Sequence, residues 1–209
     1  MSNNPGISFI IRAKNEQENV RDCLLSIVDI ADEIIFVDNQ STDDTSQIAS
    51  KIAQDHKNIK LFRYDMTIPR CGIEQKDAVA RGDENTIAAY YNWCLDKATK
   101  NVVIKWDADF IPQRDNLKKM IELHELRTRS DQFALWFTGE TMFIDAQGKK
   151  YIKKSSKYDE YRIYSKLHGF RWIDETNWEY PSRNYMSNAR KERFELPCFY
   201  ELKRVGKNE

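Results

Sequence analysis

Apolar residues along this chain arrive in short runs separated by helical stripes. Ile7-Ser8-Phe9-Ile10-Ile11 is an almost unbroken, β-branched run, the pattern of a strand covered on both faces in a parallel sheet. After the turn Ala13-Lys14-Asn15-Glu16, apolar side chains recur at Val20, Cys23, Leu24, Ile27 and Val28, one stripe of an amphipathic helix. Glu33-Ile34-Ile35-Phe36-Val37 repeats the strand pattern, completing a βαβ unit whose crossover is expected to be right-handed. Ser41-Thr42-Asp43-Asp44 has the S-x-x-D form of a capping box and predicts a second helix carrying Ile48, Ala49 and Ile52. Partial alternation over Asn58-Ile59-Lys60-Leu61-Phe62-Arg63-Tyr64 predicts a more exposed third strand. Periodicity then fails from Met66 to Glu84, where Pro69, Gly72 and Gly82 predict a long loop or loosely helical excursion. A helix over 88–98 follows, then a fourth strand, Asn101-Val102-Val103-Ile104-Lys105-Trp106, ending at Asp107-Ala108-Asp109. Pro112 and Asp115 open another helix through Leu117, Met120, Ile121 and His124, and Phe133-Ala134-Leu135-Trp136-Phe137 begins a further strand. The alternation implies an α/β fold built on an open, mostly parallel, Rossmann-like sheet flanked by helices.

A chain of 209 residues suits one compact domain with a small C-terminal region. Lys+Arg and Asp+Glu number 33 each, which argues against binding nucleic acid through an overall positive field. The balance is not uniform: residues 151–209 hold 13 Lys/Arg against 9 Asp/Glu, whereas residues 1–65 hold 7 against 11. Cys23, Cys71, Cys94 and Cys198 lie far apart without a Cys-x-x-Cys pair, the usage of reduced thiols in a cytosolic protein. No apolar run approaches the ~18 residues needed to span a bilayer, and the N-terminus lacks the order of a signal peptide. The expected location is therefore cytoplasmic, with a thin case for peripheral membrane contact through Lys203, Arg204 and Lys207.

In open α/β sheets ligands bind beyond the carboxyl ends of the strands, near the switch in strand order. Three polar clusters occupy such ends: Ala13-Lys14-Asn15-Glu16, Asp38-Asn39-Gln40-Ser41 and Asp107-Ala108-Asp109. Two carboxylates spaced D-x-D can converge on a Mg²⁺ or Mn²⁺ ion that bridges to substrate phosphates. The bland alternative for each cluster is a turn former or helix cap, strongest for Ser41 and open for Asn15 and Glu16. Asp38 and Asn39 are placed to hydrogen-bond a base or ribose.

These residues together resemble the opening of the family 2 glycosyltransferases. The resemblance rests on the 7–16 segment, on Ala31 to Thr45, and on Lys105-Trp106-Asp107-Ala108-Asp109-Phe110-Ile111-Pro112, in that order, and covers roughly 7–112. It implies the GT-A fold, a nucleotide-diphosphate-sugar donor expected to be a UDP-sugar, inversion at the anomeric carbon, and a divalent metal on the D-x-D acids Asp107 and Asp109. It also implies one domain over 1–209, with a nucleotide-sugar half at 1–112 and an acceptor half at 113–209, and the sequence can be a piece of a longer polypeptide. Donor contacts are then expected from Ala13, Asn15, Glu16, Asp38, Asn39, Asp107 and Arg162. The acceptor is expected to be a glycan, a lipid-linked molecule or a protein. Asn39 stands where some members carry an acid that reads uracil, so the base stays open, and Trp178 stands where some carry His, removing a third metal ligand.

An inverting transfer needs a further carboxylate as general base. Glu179 comes first, with Asp174 and Glu175 beside it, since these acids lie among Trp172, Trp178 and Tyr180, rings suited to stacking on a sugar. Glu140 is a fourth candidate, and pairing with Arg171 or Arg183 is the bland reading. Arg162 is a phosphate contact in one reading and a solvated strand residue in the other; Arg70, Lys76 and Arg81 can close over the diphosphate or remain solvated. His56 and His124 read as structural, His168 as a candidate for the acceptor side. Two other functions compete: a phosphatase of the haloacid dehalogenase type, disfavoured by Phe110 and by the mid-chain position of D-x-D, and a non-catalytic nucleotide- or glycan-binding module.

Overall fold

The apolar runs become the central strands of one sheet. The computed structural model describes residues 3–153, 160–175 and 177–205. Along the chain it contains β1 (Ile7–Ala13), α1 (Val20–Ile27), β2 (Glu33–Asp38), α2 (Thr45–Asp55), β3 (Ile59–Arg63), α3 (Ile73–Arg81), α4 (Ile87–Lys97), β4 (Val102–Asp107), β5 (Phe110–Pro112) and α5 (Arg114–Leu123). Then come β6 (Phe133–Ile144), β7 (Lys150–Lys153), β8 (Tyr161–Ser165), β9 (Trp172–Asp174), β10 (Glu179–Pro181), α6 (Arg183–Asn188) and β11 (Arg190–Arg204). The main sheet runs β3-β2-β1-β4-β8-β6-β11-β5, with β7 on β6, and β9 and β10 form a separate two-stranded sheet. β1 to β4, β6 and β11 share one direction, with β5, β7 and β8 opposed.

β1 and β2 are buried along almost their whole length, as helices on both faces require. Phe9, Ile11, Ile34 and Ile104 pack with α1, α2 and α5 on one face, while Ile10, Ile35, Val37 and Val103 pack with α4 on the other. Strand order turns at β1, between β2 and β4, which places a crevice at the carboxyl ends of these strands.

Two segments differ from the sequence pattern. Part of the 66–84 excursion is a regular helix, α3, stopped by Gly82 at φ 73°. The aromatic tail is a 15-residue strand, β11, that pairs in parallel with β6 and slips register around Pro197, which has no amide hydrogen to give. Among the described residues no helix is long and apolar enough to cross a membrane.

Candidate active site

Strand register decides what meets in the crevice. Ala13 pairs with Asp38 across β1 and β2, and Arg12 pairs with Asp107 across β1 and β4. The three polar clusters therefore share one end of the sheet. Asp38 is buried, and its Oδ1 has no hydrogen-bond partner among the described residues; its Oδ2 lies 3.4 Å from the Ser41 amide. Asn39 gives both Nδ2 hydrogens to the carbonyls of Tyr64 and Met66, at 3.0 and 2.9 Å, and its own amide to the Ala13 carbonyl at 2.8 Å.

The turns are laced to each other. The Asn15 amide donates to Ser41 Oγ at 2.9 Å, Asn15 Oδ1 accepts from the Thr42 amide at 2.8 Å, and the Glu16 amide donates to Thr45 Oγ1 at 2.7 Å. Ser41 thus serves the neighbouring loop, and α2 starts after Asp44 with no side-chain cap, so the capping box does not form. α1 likewise starts at Val20 behind Asn19, so Asn15 and Glu16 are not its caps. Asn15 adopts φ 58°, a left-handed conformation in which its side chain reaches the second turn.

Asp107 and Asp109 form the turn between β4 and β5. Arg162 Nη1 donates to Asp107 Oδ2 at 2.9 Å and Arg12 Nη2 lies 3.6 Å from Asp107 Oδ1. Burial pushes the Asp107 carboxyl up, but Arg162, Lys105 and Arg12 outweigh it and hold the pKa down at about 2. Asp109 accepts only from Lys203 Nζ, at 3.2 Å, among the described residues. Its pKa is raised, by burial first; Lys203 pulls it down and the charge of Asp107 pushes it further up. Glu16 is raised as well, by burial and, against the Asn19 hydrogen bond, by Asp109.

Arg162, far from lying on a solvated face, is buried, and Glu160 Oε1 accepts from its Nη2 at 2.5 Å. Lys105, also buried, donates to Glu160 Oε2 at 3.1 Å and Glu179 Oε1 at 2.9 Å. Burial alone would discharge this ammonium, but Tyr91, Glu160 and Glu179 hold its pKa above the ordinary value. The guanidinium of Arg12 lies 3.6 Å from the centroid of Tyr91. Charged residues inside the apolar runs of β1 and β4 were the available signal for Arg12 and Lys105; nothing in the sequence marked Glu160.

Beside this network lies a cleft of about 560 Å³ lined by Tyr161, Trp172, Trp178, Glu179 and Tyr180. The structure separates the three base candidates. Glu179 is 6% exposed and faces this cleft. Asp174 is engaged with Gln75 Nε2 at 2.6 Å and the Ala88 amide at 3.1 Å, securing the start of α4. Glu175 pairs at the rim with Arg183, as the bland reading had it. Glu140 accepts from Gln113 Nε2 at 3.0 Å, and Arg171 pairs with Asp96. His124 pairs with Glu192 and His168 with the Ser130 carbonyl, whereas Arg81 pairs with Asp83. Lys203 and Arg204 are engaged with Asp109, Glu201 and the 18–22 segment; Lys207 lies outside the described residues.

The family model for Glycosyl transferase family 2 matches residues 8–65. No curated protein sequence matches the chain. Among solved structures, S. aureus TarS 1-349 is similar, with 17% identity and a TM-score of 0.58 over 94% of this chain and 60% of that one. So is the mannosyltransferase PcManGT from Pyrobaculum calidifontis, in complex with GDP-Man and Mn²⁺, with 17% identity and a TM-score of 0.58 over 99% and 59%. The fold is GT-A, and within it residues 8–65 are similar to the glycosyl transferase family 2 model. A chain of the GT-A fold is not a phosphatase of the haloacid dehalogenase fold. This GT-A chain spans 60% of the TarS 1-349 structure and 59% of PcManGT.

Carboxylate oxygens such as those of Asp107 and Asp109 are the ligand type that hard divalent cations take. Among the described residues no cluster of three or more His, Cys, Asp or Glu side chains is arranged to cage a metal. Mg²⁺ and Mn²⁺ commonly take one or two carboxylates and fill the remaining positions with phosphate oxygens and water. Asp109, half-buried and only partly compensated, could serve as such a carboxylate, while Asp107 is already neutralised by two guanidiniums.

Proposed function

We propose that this protein transfers a sugar from a nucleotide-diphosphate donor to an acceptor hydroxyl, with inversion. One observation carries the reading: the carboxyl ends of β1, β2 and β4 bring Ala13, Asp38 and Asp107 together at the switch point of a GT-A sheet. Asp38, with a buried carboxylate oxygen that has no partner among the described residues, receives the base or ribose of the donor. Asn15, Glu16 and Asn39 shape that floor through their loop contacts, and Ala13 supplies its wall. Arg162 and Arg12 hold Asp107 and place two guanidiniums beside the diphosphate. Asp109 holds the metal from the protein side. When bound, the Mn²⁺ or Mg²⁺ neutralises charge on the departing diphosphate.

Glu179 acts as the general base. Its carboxylate takes the proton of the acceptor hydroxyl as that oxygen forms a bond to the anomeric carbon. The bond from that carbon to the diphosphate oxygen breaks, and the nucleotide diphosphate leaves with the electron pair. Trp178 and Tyr180, both exposed in the cleft, give the acceptor, a glycan or a glycan carried on lipid or protein, flat apolar faces on which to stack.

A thermal-shift screen of UDP- and GDP-sugars with and without Mn²⁺ tests the reading. Stabilisation by one nucleotide family that depends on Mn²⁺ is expected, and sugar transfer by the responding donor completes it. No response to any nucleotide would overturn it, and binding without transfer to any acceptor would favour a non-catalytic module.

A further inference from the structure

β4 reads Val-Val-Ile-Lys-Trp-Asp, and a strand buried on both faces has no evident use for a lysine. Alternation puts Lys105 on the same face as Asp107, with Trp106 in the core opposite. A buried ammonium is costly unless its hydrogens find acceptors and its charge a counter-charge. Lys105 has Glu179 at 2.9 Å, Glu160 at 3.1 Å, and the rings of Tyr91 and Trp172, each with its centroid 5.3 Å away. Seen from the other side, Lys105 is the one hydrogen-bond partner of the Glu179 carboxylate among the described residues. Glu179 stands on β10, which belongs to the separate two-stranded sheet and shares no backbone ladder with β4. The ion pair therefore ties this acid to the strand that ends in Asp107. It engages Oε1 and leaves Oε2 for a ligand in the cleft.

We propose that Lys105 is a positioning residue for this acid. It fixes the Glu179 carboxylate relative to the D-x-D turn, so that an acceptor hydroxyl bound to Oε2 meets the donor in line. Alternating charges continue the connection, from Lys105 through Glu160 and Arg162 to Asp107. The inference rests on the glycosyltransferase reading and on Glu179 as its base.

The test is a double-mutant cycle on the full chain, using the donor found in the nucleotide-sugar screen. Lys105→Met is expected to lower kcat about 10²-fold while the KM for the donor stays within several-fold, because the lysine acts on the attack and not on donor binding. The rise in Tm with UDP or GDP plus Mn²⁺ is expected to persist in this variant. In a Glu179→Gln background the same substitution should cost less than about threefold, since the base it positions is already lost. Equal losses in both backgrounds, or loss of the nucleotide response, would overturn the proposal. Should Lys105→Met not fold, Lys105→Arg, which keeps the charge, carries the test: kcat within about tenfold of wild type supports the role, and a loss of about 10²-fold refutes it. A wild type that answers to no nucleotide removes the underlying reading and this inference with it. A wild type that transfers, with Lys105→Met unimpaired, removes this inference alone.

Discussion

Asp107 and Asp109 stand two residues apart and are held in opposite ways. Asp107 is pinned between two guanidiniums, and Asp109 keeps one ammonium, Lys203, with the charges of Asp107 and Glu201 acting on it. The divalent ion should depend on the second acid. Asp109→Asn is expected to abolish Mn²⁺-dependent nucleotide binding by calorimetry while leaving the apo Tm within a few degrees, since it removes an acid that is only partly paired. Retained Mn²⁺ dependence would place the ion elsewhere. At this scale the position of a side chain was legible wherever it closes a strand, as for Asp38 and the D-x-D acids. Lys105 and Arg12 were visible only as charges in apolar runs. The carboxylates that explain Lys105 are 55 and 74 residues away, a distance that periodicity does not bridge.

The elements show where local pattern is overruled. The S-x-x-D motif at 41–44 resembles a cap, yet Ser41 Oγ is spent on the Asn15 amide because the first and second turns lie against each other. β11 was hidden by the charged stretch Arg190-Lys191-Glu192-Arg193 and by Pro197, and becomes a strand through pairing with β6 and β5. That pairing creates a close approach: a Cβ on Gly139 would lie 2.3 Å from the ring of Phe199. Phe199 is fully buried and stacked on Phe110, with ring centroids 3.9 Å apart, so it has no room to retreat. Gly139→Ala is expected to destabilise the fold by about 1–3 kcal/mol in urea unfolding. An unchanged midpoint would show that the ring can yield.

Across the whole molecule one sheet joins the first half of the chain to the second, because β8, β6 and β11 extend the ladder begun by β1 to β4. Its stability should fall in acid for a stated reason. Arg129 and, against partial burial, Arg190 and His124 hold Glu192 at about 2, below its ordinary 4.5. The unfolded chain then binds more protons than the folded one in that interval. The stabilisation is complete above about pH 4.5 and is lost as the pH falls toward 2. Asp107 behaves alike from its ordinary 3.8 downward, whereas Asp109 and Glu16, both raised, act in the opposite sense. Glu192→Gln should therefore lower stability near neutrality by at most about 3 kcal/mol and flatten the acid limb measured by denaturant titration across pH. An unaltered slope would show that the pair contributes nothing.

Of the five tryptophans, Trp178 stands 48% exposed at the edge of the aromatic cleft, while Trp106, Trp136 and Trp172 are buried. That difference gives the protein a built-in optical signal. A sugar ring laid on the wet indole would displace water from it and move its emission to shorter wavelength, with the buried indoles as a steady background. Acceptors could then be ranked by fluorescence titration without a label, and Trp178→Phe should silence the response.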